Sequence, residues 1–254
     1  MLKQQPRNFN SVCYENLMLL DPHELSQNLD RLEEIEKASL RLIVQAIYDY
    51  RETAVLIFQQ ENDLVADIGE DITREALDRM GMARIDQRLF GKIDYKRARY
   101  LFHPDYAIKQ ALFVDSKAEK IEGQRTATLQ TSQLSLQVRQ IRAGQQIEAT
   151  GTLPPILTVQ DDDYITTTIF VKYNYMENHG ENTLQSITVS ALPNGLLQER
   201  YNPSPEDGIW LAGRNAPTRG ELFRVRLSFP LLKAKCSWRV QTIPLFPHPF
   251  TWDN

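Results

Sequence analysis

Two cysteines in 254 residues, Cys13 and Cys236, are too few and too widely separated for a disulfide framework or a paired-thiolate metal site. They are expected to be buried or free thiols in a reducing cytoplasm. Four scattered histidines give no zinc-ligand spacing. No apolar run approaches the length of a membrane span. The first residues, Met1-Leu2-Lys3-Gln4-Gln5-Pro6-Arg7-Asn8, lack the apolar stretch of a secretory signal. A phosphate-cradling glycine loop, a dinucleotide fingerprint and a nucleophile elbow are also missing, which sets aside the enzyme classes built on them. Basic excess is absent too: 29 Lys and Arg stand against 33 Asp and Glu, for a net charge of −4. What remains, with 42% hydrophobic and 24% charged residues, is an ordinary globular composition, long enough for a substantial core.

A net negative charge argues mildly against a polyanionic partner, but the charges are unevenly spread. Between Arg84 and Arg99 lie Arg84, Arg88, Lys92, Lys96, Arg97 and Arg99, against Asp86 and Asp94. Between Leu211 and Arg226, Arg214, Arg219, Arg224 and Arg226 face only Glu221. The acids concentrate between Asp21 and Asp78. Because salt screens charge within about 10 Å, local basic segments can hold a nucleic acid in one cleft of an acidic protein. Solvated faces are the plainer alternative.

Residues 1–20 are read as a loosely ordered extension ahead of a single domain over 21–254. Asp21-Pro22 opens a helix, with Asp as cap and Pro at the first helical position. Leu25, Leu29, Leu32, Ile35, Leu42, Ala46, Tyr50, Ala54 and Ile57 recur at mostly three- and four-residue steps. They predict one long amphipathic helix, or two in succession, to about Gln60. A second helix is predicted over Asp67–Met80. Gln87–Phe102 and Gln110–Lys117 read as strands around a His103-Pro104-Asp105 turn, and Thr128–Ile141 as a helix. Tyr164–Met176 and Leu184–Leu192 are predicted strands joined by a turn at Asn178–Asn182. Glu221–Phe229 alternates cleanly as another. A short helix at Leu231–Cys236 and a last strand near Trp238–Thr242 complete an α/β domain around a mixed sheet. Trp210, Trp238 and Trp252 are read as packing residues.

Two constellations carry chemistry. Gly91-Lys92-Ile93-Asp94-Tyr95-Lys96-Arg97 is followed, across the expected hairpin, by Ala111-Leu112-Phe113-Val114-Asp115-Ser116-Lys117. Alternation along the second strand sends Val114 and Ser116 one way and Asp115 and Lys117 the other. Asp94 and Asp115, with the Ser116 carbonyl, would hold a hard divalent cation. Lys117 would orient a water and offset charge on a phosphorane. That is the layout of a hydrolytic nuclease, although Asp-x-Lys alone also fits a strand end meeting solvent. Second, Arg224-Val225-Arg226 in a strand projects two arginines from one face, about 7 Å apart, and an arginine fork bonds guanine O6 and N7 together. An exposed cationic face is the competing explanation. Upstream, the glycine-bounded loop Gly213–Gly220 offers Arg214, Asn215 and Arg219 for base or phosphate contacts, or is a surface turn. Arg125 follows the Asp-x-Lys strand and could reach DNA beside it, as could Lys96. Glu70-Asp71 is better explained by a negative helix N-terminus than by an auxiliary metal role.

Taken together, several stretches resemble the type II restriction endonucleases of the SfiI type, within the PD-(D/E)xK superfamily. They are Gly69-Glu70-Asp71-Ile72-Thr73, the Ile93-Asp94-Tyr95-Lys96-Arg97 block, Val114-Asp115-Ser116-Lys117-Ala118, Leu129–Leu134, Thr167–Val171, Gln198-Glu199-Arg200-Tyr201-Asn202-Pro203, and Pro217 through Arg226. They occur in family order between about Leu25 and Thr242. The resemblance implies a restriction-endonuclease-like fold and a Mg²⁺-dependent homo-oligomer, tetramer rather than dimer. It implies cutting of double-stranded DNA at an interrupted GGCC-like palindrome, leaving 3′ overhangs and 5′-phosphates, within a restriction-modification system. Asp94, Asp115 and Lys117 fall on catalytic positions, Arg224 and Arg226 on the guanine-reading strand, and Arg214 where a lysine contacts DNA. Ile93 replaces the Pro of the superfamily name. The first 20 residues, a shorter segment around Ala143–Leu157 and the end at Asn254 depart from the pattern. A structure-specific or repair nuclease of the same superfamily and a non-catalytic DNA-binding module are the alternatives.

Overall fold

In the computed structural model, residues 19–61, 65–81, 98–103, 106–123, 125–159, 161–211 and 225–254 are described. Asp21 opens the first element of the described residues as expected: its side chain accepts from the His23 amide at 2.9 Å and Pro22 takes the first turn. That turn is a 3₁₀ helix ending at Gln27. Asn28 then caps the long helix α1, Leu29–Gln60. Leu32, Ile35, Leu40, Ile43, Ile47, Ala54 and Phe58 form its buried stripe. Leu42 and Ile57, core positions by their spacing, are only partly buried. The second helix, α2, spans Val65–Arg79.

Strand β1 (Ala98–His103) pairs antiparallel with β2 (Ile108–Lys120). Next come β3 (Thr126–Leu129), the hairpin of β4 (Gln137–Arg142) and β5 (Gln145–Thr150), and β6 (Ile156–Val159). Strands β7 (Asp162–Asn178) and β8 (Glu181–Leu192) form a second hairpin. A short helix α3 (Gln198–Tyr201), strands β9 (Trp210–Leu211) and β10 (Val225–Ser228), helix α4 (Phe229–Lys235) and strand β11 (Val240–Pro244) follow.

Among the described residues the central sheet runs β1-β2-β7-β8-β11, with β6 added beside β7. Only β2 and β7 pair parallel, so the sheet is mixed. One face carries α1 and α2 over Leu112, Val114, Ile169, Val171, Tyr173 and Ile187. The other face buries Phe170 and Ile165 against a small sheet, β3-β10-β9, and against α4. In the middle of β7 the two cores split by period two, Phe170 facing the small sheet and its neighbours Ile169 and Val171 facing the helices, whereas Ile165 nearer the strand's start departs from that alternation.

The segment 128–141 is not helical. It forms β3, a 3₁₀ turn and β4. Leu134, Leu136 and Val138 are all buried at two-residue spacing, a strand signal that prevails over the helical spacing of Leu134, Val138 and Ile141. The β4–β5 hairpin is a further departure, turned by Ala143-Gly144 with φ of 48° and 78°. The expected His179-Gly180 turn has the same geometry at 52° and 84°. Where this region folds back, a Cβ on Gly151 would lie 2.2 Å from the Leu134 carbonyl oxygen and 2.7 Å from that of Leu136. Gly151→Ala should therefore lower stability by about 1–3 kcal/mol, read as a reduced thermal midpoint. An unchanged midpoint would disprove the close approach.

The Arg200-Tyr201-Asn202-Pro203 block, prominent in the sequence, builds the scaffold. Arg239 is fully buried and donates to Glu36 Oε2 at 2.6 Å, to Glu33 Oε1 at 3.3 Å and to the Tyr201 hydroxyl at 2.6 Å. The Tyr201 hydroxyl in turn donates to Glu33. Arg200 bridges Asp30 at 2.7 Å and Glu33 at 3.0 Å. The Asn202 side chain accepts from the Arg139 amide and the Trp210 indole and donates to the Arg139 carbonyl. One tetrapeptide therefore ties α1, β4, β9 and the start of β11 together. Among the described residues no helix is long and apolar enough to cross a membrane.

Candidate active site

Strand β2 has a neighbour on each side, β1 and β7, and Ala111-Leu112-Phe113-Val114 supplies the apolar residues such a position needs. The run delivers Asp115 and Ser116, both buried, and Lys117, half-buried. Val114 packs into the helix-side core, whereas Asp115 lies opposite Phe170 of β7, which belongs to the other core. The alternation expected from the sequence is thus the one found. Asp115, Lys117 and Glu119 share the face turned toward β3.

Lys117 Nζ donates to the Thr128 carbonyl oxygen at 2.5 Å and stands 5.8 Å from the centre of the Phe170 ring. Its strand neighbour in the parallel ladder is Lys172, whose side chain is fully buried. Lys172 Nζ donates to Glu119 Oε2 at 2.5 Å and to the Thr126 carbonyl at 2.6 Å. Burial pulls the Lys172 ammonium below the usual lysine range, Glu119 opposes that pull, and the nearby charges of Lys117 and Arg226 add to it. Nothing in the sequence motifs singles out Lys172 or Glu119. The available signal is a lysine inside Ile169-Phe170-Val171-Lys172-Tyr173, a run otherwise fit for a doubly covered strand.

Helix α2 approaches β2 from the opposite face. A Cβ on Gly69 would lie 3.1 Å from the Ala118 amide nitrogen and 3.2 Å from the Lys117 carbonyl carbon, a contact any larger residue would push apart. Glu70 follows Gly69 on this helix and is half-buried. Glu70 and Asp71 do not occupy the helix N-terminus expected for them: the first-turn acid is Asp67, and Asp71 pairs with Arg74 at 2.6 Å.

On β10, Val225 and Leu227 are buried and Arg226 turns the other way, half-exposed, opposite Thr128 of β3 and Leu211 of β9. Arg125 is exposed just ahead of β3. It lines a cavity of about 350 Å³ with Thr188, Phe229, Lys233 and Thr242. The described structure therefore brings Asp115, Lys117 and Arg226 to one side of the sheet, with Ser116 between the first two on β2 and its side chain on the opposite face. Asp94, Lys96, Arg214, Asn215, Arg219 and Arg224 lie outside the described residues.

The donor set on β2 is a carboxylate and an adjacent backbone carbonyl, all oxygen, which suits a hard cation such as Mg²⁺ and not a soft one. Among the described residues a different trio, Asp21, His23 and Asp163, also has metal-compatible spacing. Those residues already have local roles. Asp21 caps the first helix, and His23 Nε2 meets Asp163 at 3.1 Å. The hydroxyl of Thr158 and then His23 hold Asp163 below the usual carboxylate range against a burial effect. Asp163 precedes Phe170 by seven residues of β7, or about 23 Å of strand, so this cluster is remote from Asp115.

The family model described as "Type II restriction enzyme SfiI" matches residues 52–243. The type II restriction enzyme SfiI of Streptomyces fimbriatus is 37% identical over 238 residues, covering 88% of this chain and 87% of that protein. Among solved structures, tetrameric SfiI bound to cognate DNA superposes with a TM-score of 0.77 over 91% of this chain and 90% of its own, at 37% identity. The restriction endonuclease BglI bound to its DNA recognition sequence gives a TM-score of 0.71 at 17% identity, covering 88% and 94%. The BglI match bears on the fold alone.

Proposed function

Since the chain belongs to the family of the type II restriction enzyme SfiI, we propose that it hydrolyses both strands of DNA with Mg²⁺ held by Asp94, Asp115 and the Ser116 carbonyl. That it is a type II restriction endonuclease acting on DNA follows from the family, matched over most of both chains. The observation that carries the site assignment is the buried Asp115 and half-buried Lys117 on the face of β2 turned toward the strand pair that bears Arg226.

A bound divalent cation would supply Lewis acidity toward the phosphate and toward the attacking water. The chain's own groups do the remainder. Asp115 emerges from a doubly flanked strand and is therefore rigidly placed. Lys117 is fixed by its bond to Thr128, and a three-donor ammonium held there can also orient water and meet charge growing on the phosphate. In-line attack then expels the 3′ oxygen, giving 5′-phosphate and 3′-hydroxyl ends. Arg224 and Arg226 read guanines, while Arg214, Asn215, Arg219, Lys96 and Arg125 position the backbone. The target in this reading is an interrupted GGCC-like palindrome cut to 3′ overhangs. The working form is a homotetramer, as SfiI is when bound to its cognate DNA. It acts in the cytoplasm as the nuclease of a restriction-modification system.

Digestion of a long DNA of known sequence with purified protein and Mg²⁺, followed by sequencing of the ends, tests this reading. Discrete fragments ending at one interrupted palindrome support it. Cutting only at junctions or free ends would favour a repair nuclease, and specific binding without cleavage a binding module. Arg226→Ala should lose about 1–3 kcal/mol of discrimination at one base pair. Selection of cleaved duplexes from a randomised pool would detect that loss, and an unchanged consensus would refute guanine reading by Arg226.

A further inference from the structure

Lys172 is an improbable residue for its place. It sits on β7 between β2 and β8 and its side chain is fully buried, where a charged group survives only with full compensation. Its compensation comes from Glu119 at 2.5 Å and from the Thr126 carbonyl at 2.6 Å. Lys117, directly beside it in the ladder, donates to the Thr128 carbonyl at 2.5 Å. Two ammonium groups on adjacent strands of the central sheet therefore grip alternate carbonyls of β3. The other edge of β3 is hydrogen-bonded to β10, with Thr128 opposite Arg226 and Thr126 opposite Ser228. One backbone strand thus separates the arginine assigned to base reading from the lysine assigned to hydrolysis, and Lys172 is its second anchor.

We infer that Lys172 is a positioning residue that locks β3 to the central sheet and so couples the placement of Lys117 to that of Arg226. The inference rests on the nuclease reading above and deepens it. With β3 anchored at two points, β10 and β2 move as one body, and an arginine displaced by a wrong base drags the Lys117 ammonium with it. Selectivity then shows in the rate of cutting as well as in binding. Without the Lys172 anchor, β3 can pivot about Lys117, and an error at Arg226 is absorbed before it reaches the active site. A displacement of about 1 Å at a catalytic group can lower a rate about a hundredfold, so the link needs little travel. A buried ion pair with a purely structural role would affect melting but not selectivity.

The test uses the full chain with Lys172→Met combined with Glu119→Gln, which removes the ammonium without leaving the half-buried Glu119 carboxylate unpaired by it. Single-turnover cleavage is measured on a duplex carrying the protein's own site and on duplexes changed at one base pair at a time. Binding is measured with Ca²⁺ in place of Mg²⁺. The double variant should bind its own site within about threefold of the parent, cut it about tenfold or more slowly, and lose about tenfold of its rate discrimination between correct and altered duplexes. Lys172→Arg keeps the charge but moves the donors. It should melt like the parent and still lose part of the discrimination, so the proposal is testable even if the double variant does not fold. Parental rate and discrimination in a folded variant would overturn the coupling. The parent and Asp115→Asn serve as controls. A parent that does not cut, or an Asp115→Asn protein that does, overturns the nuclease reading itself, whereas an unaffected Lys172 variant overturns only the coupling.

Discussion

Asp115→Asn should reduce plasmid cleavage by at least about a thousandfold while leaving DNA bound. The carboxylate is buried and strand-held, so the amide will occupy the same space, and the fold loses nothing but charge. That charge is what a divalent cation requires, and each tenfold in rate corresponds to about 1.4 kcal/mol of barrier. Loss of a metal site removes several kcal/mol of transition-state stabilisation. Affinity for DNA should hold or rise, because the negative charge removed lies close to the phosphate. Gel-shift and plasmid-nicking assays on one preparation separate the two effects. Near-parental cutting would show that Asp115 is a strand-end acid and that the hydrolytic centre lies elsewhere. Lys117→Ala should lose cutting comparably, with an added loosening of β3, because its ammonium also holds the Thr128 carbonyl.

Arg239→Met should be the most damaging single change to stability, at about 3–5 kcal/mol, because it leaves the Glu36 carboxylate buried without its cation. Burial alone raises the Glu36 carboxyl above the usual range, and Arg239 offsets that rise by charge and by hydrogen bonding. The Arg239 guanidinium is likewise disfavoured by burial, and Glu36 and Tyr201 more than restore it, so its pKa is raised. Removing Arg239 therefore raises the Glu36 carboxyl further. A group whose folded-state pKa lies above its unfolded value contributes most below the unfolded pKa and loses that contribution as pH rises through the folded pKa. The melting deficit of Arg239→Met should accordingly be greatest near neutral pH and shrink toward pH of about 4.5, the ordinary range of a Glu carboxyl. Melting scans across pH check this. A deficit independent of pH would mean that lost packing, not the stranded carboxylate, is responsible. Adding Glu36→Gln should recover part of the loss at neutral pH.

The features legible in the sequence are those written in contiguous residues. Three- and four-residue apolar steps give α1, an apolar run ending in Asp-x-Lys gives β2, and His179-Gly180 gives the β7–β8 turn. Asp115, Ser116 and Lys117 can be placed on a strand, and on its correct faces, because period-two alternation needs no tertiary information. Other features depend on partners remote in the chain. Leu134, Val138 and Ile141 suit a helix by spacing, and only the tertiary burial of Leu134, Leu136 and Val138, with Ile141 left exposed, decides against it. Arg200-Tyr201-Asn202 stands out as a conspicuous motif, but its scaffold role depends on Glu33, Arg139, Trp210 and Arg239. Lys172 stands out only as a lysine within an apolar run, and its partners become visible when β2 brings Glu119 beside it and β3 supplies the Thr126 carbonyl. The candidate site is therefore half legible: the residues proposed to react are readable, and the groups that hold them are not.

Mapping the cation itself is the most direct check on the hydrolytic centre. With Fe²⁺ in place of Mg²⁺ on the DNA-bound protein, ascorbate and peroxide generate radicals that cut the polypeptide beside the ion. The cuts should fall next to residues 94 and 115 and disappear in Asp115→Asn. Cuts confined to the neighbourhood of Asp21, His23 and Asp163, with residues 94 and 115 untouched, would contradict the assignment.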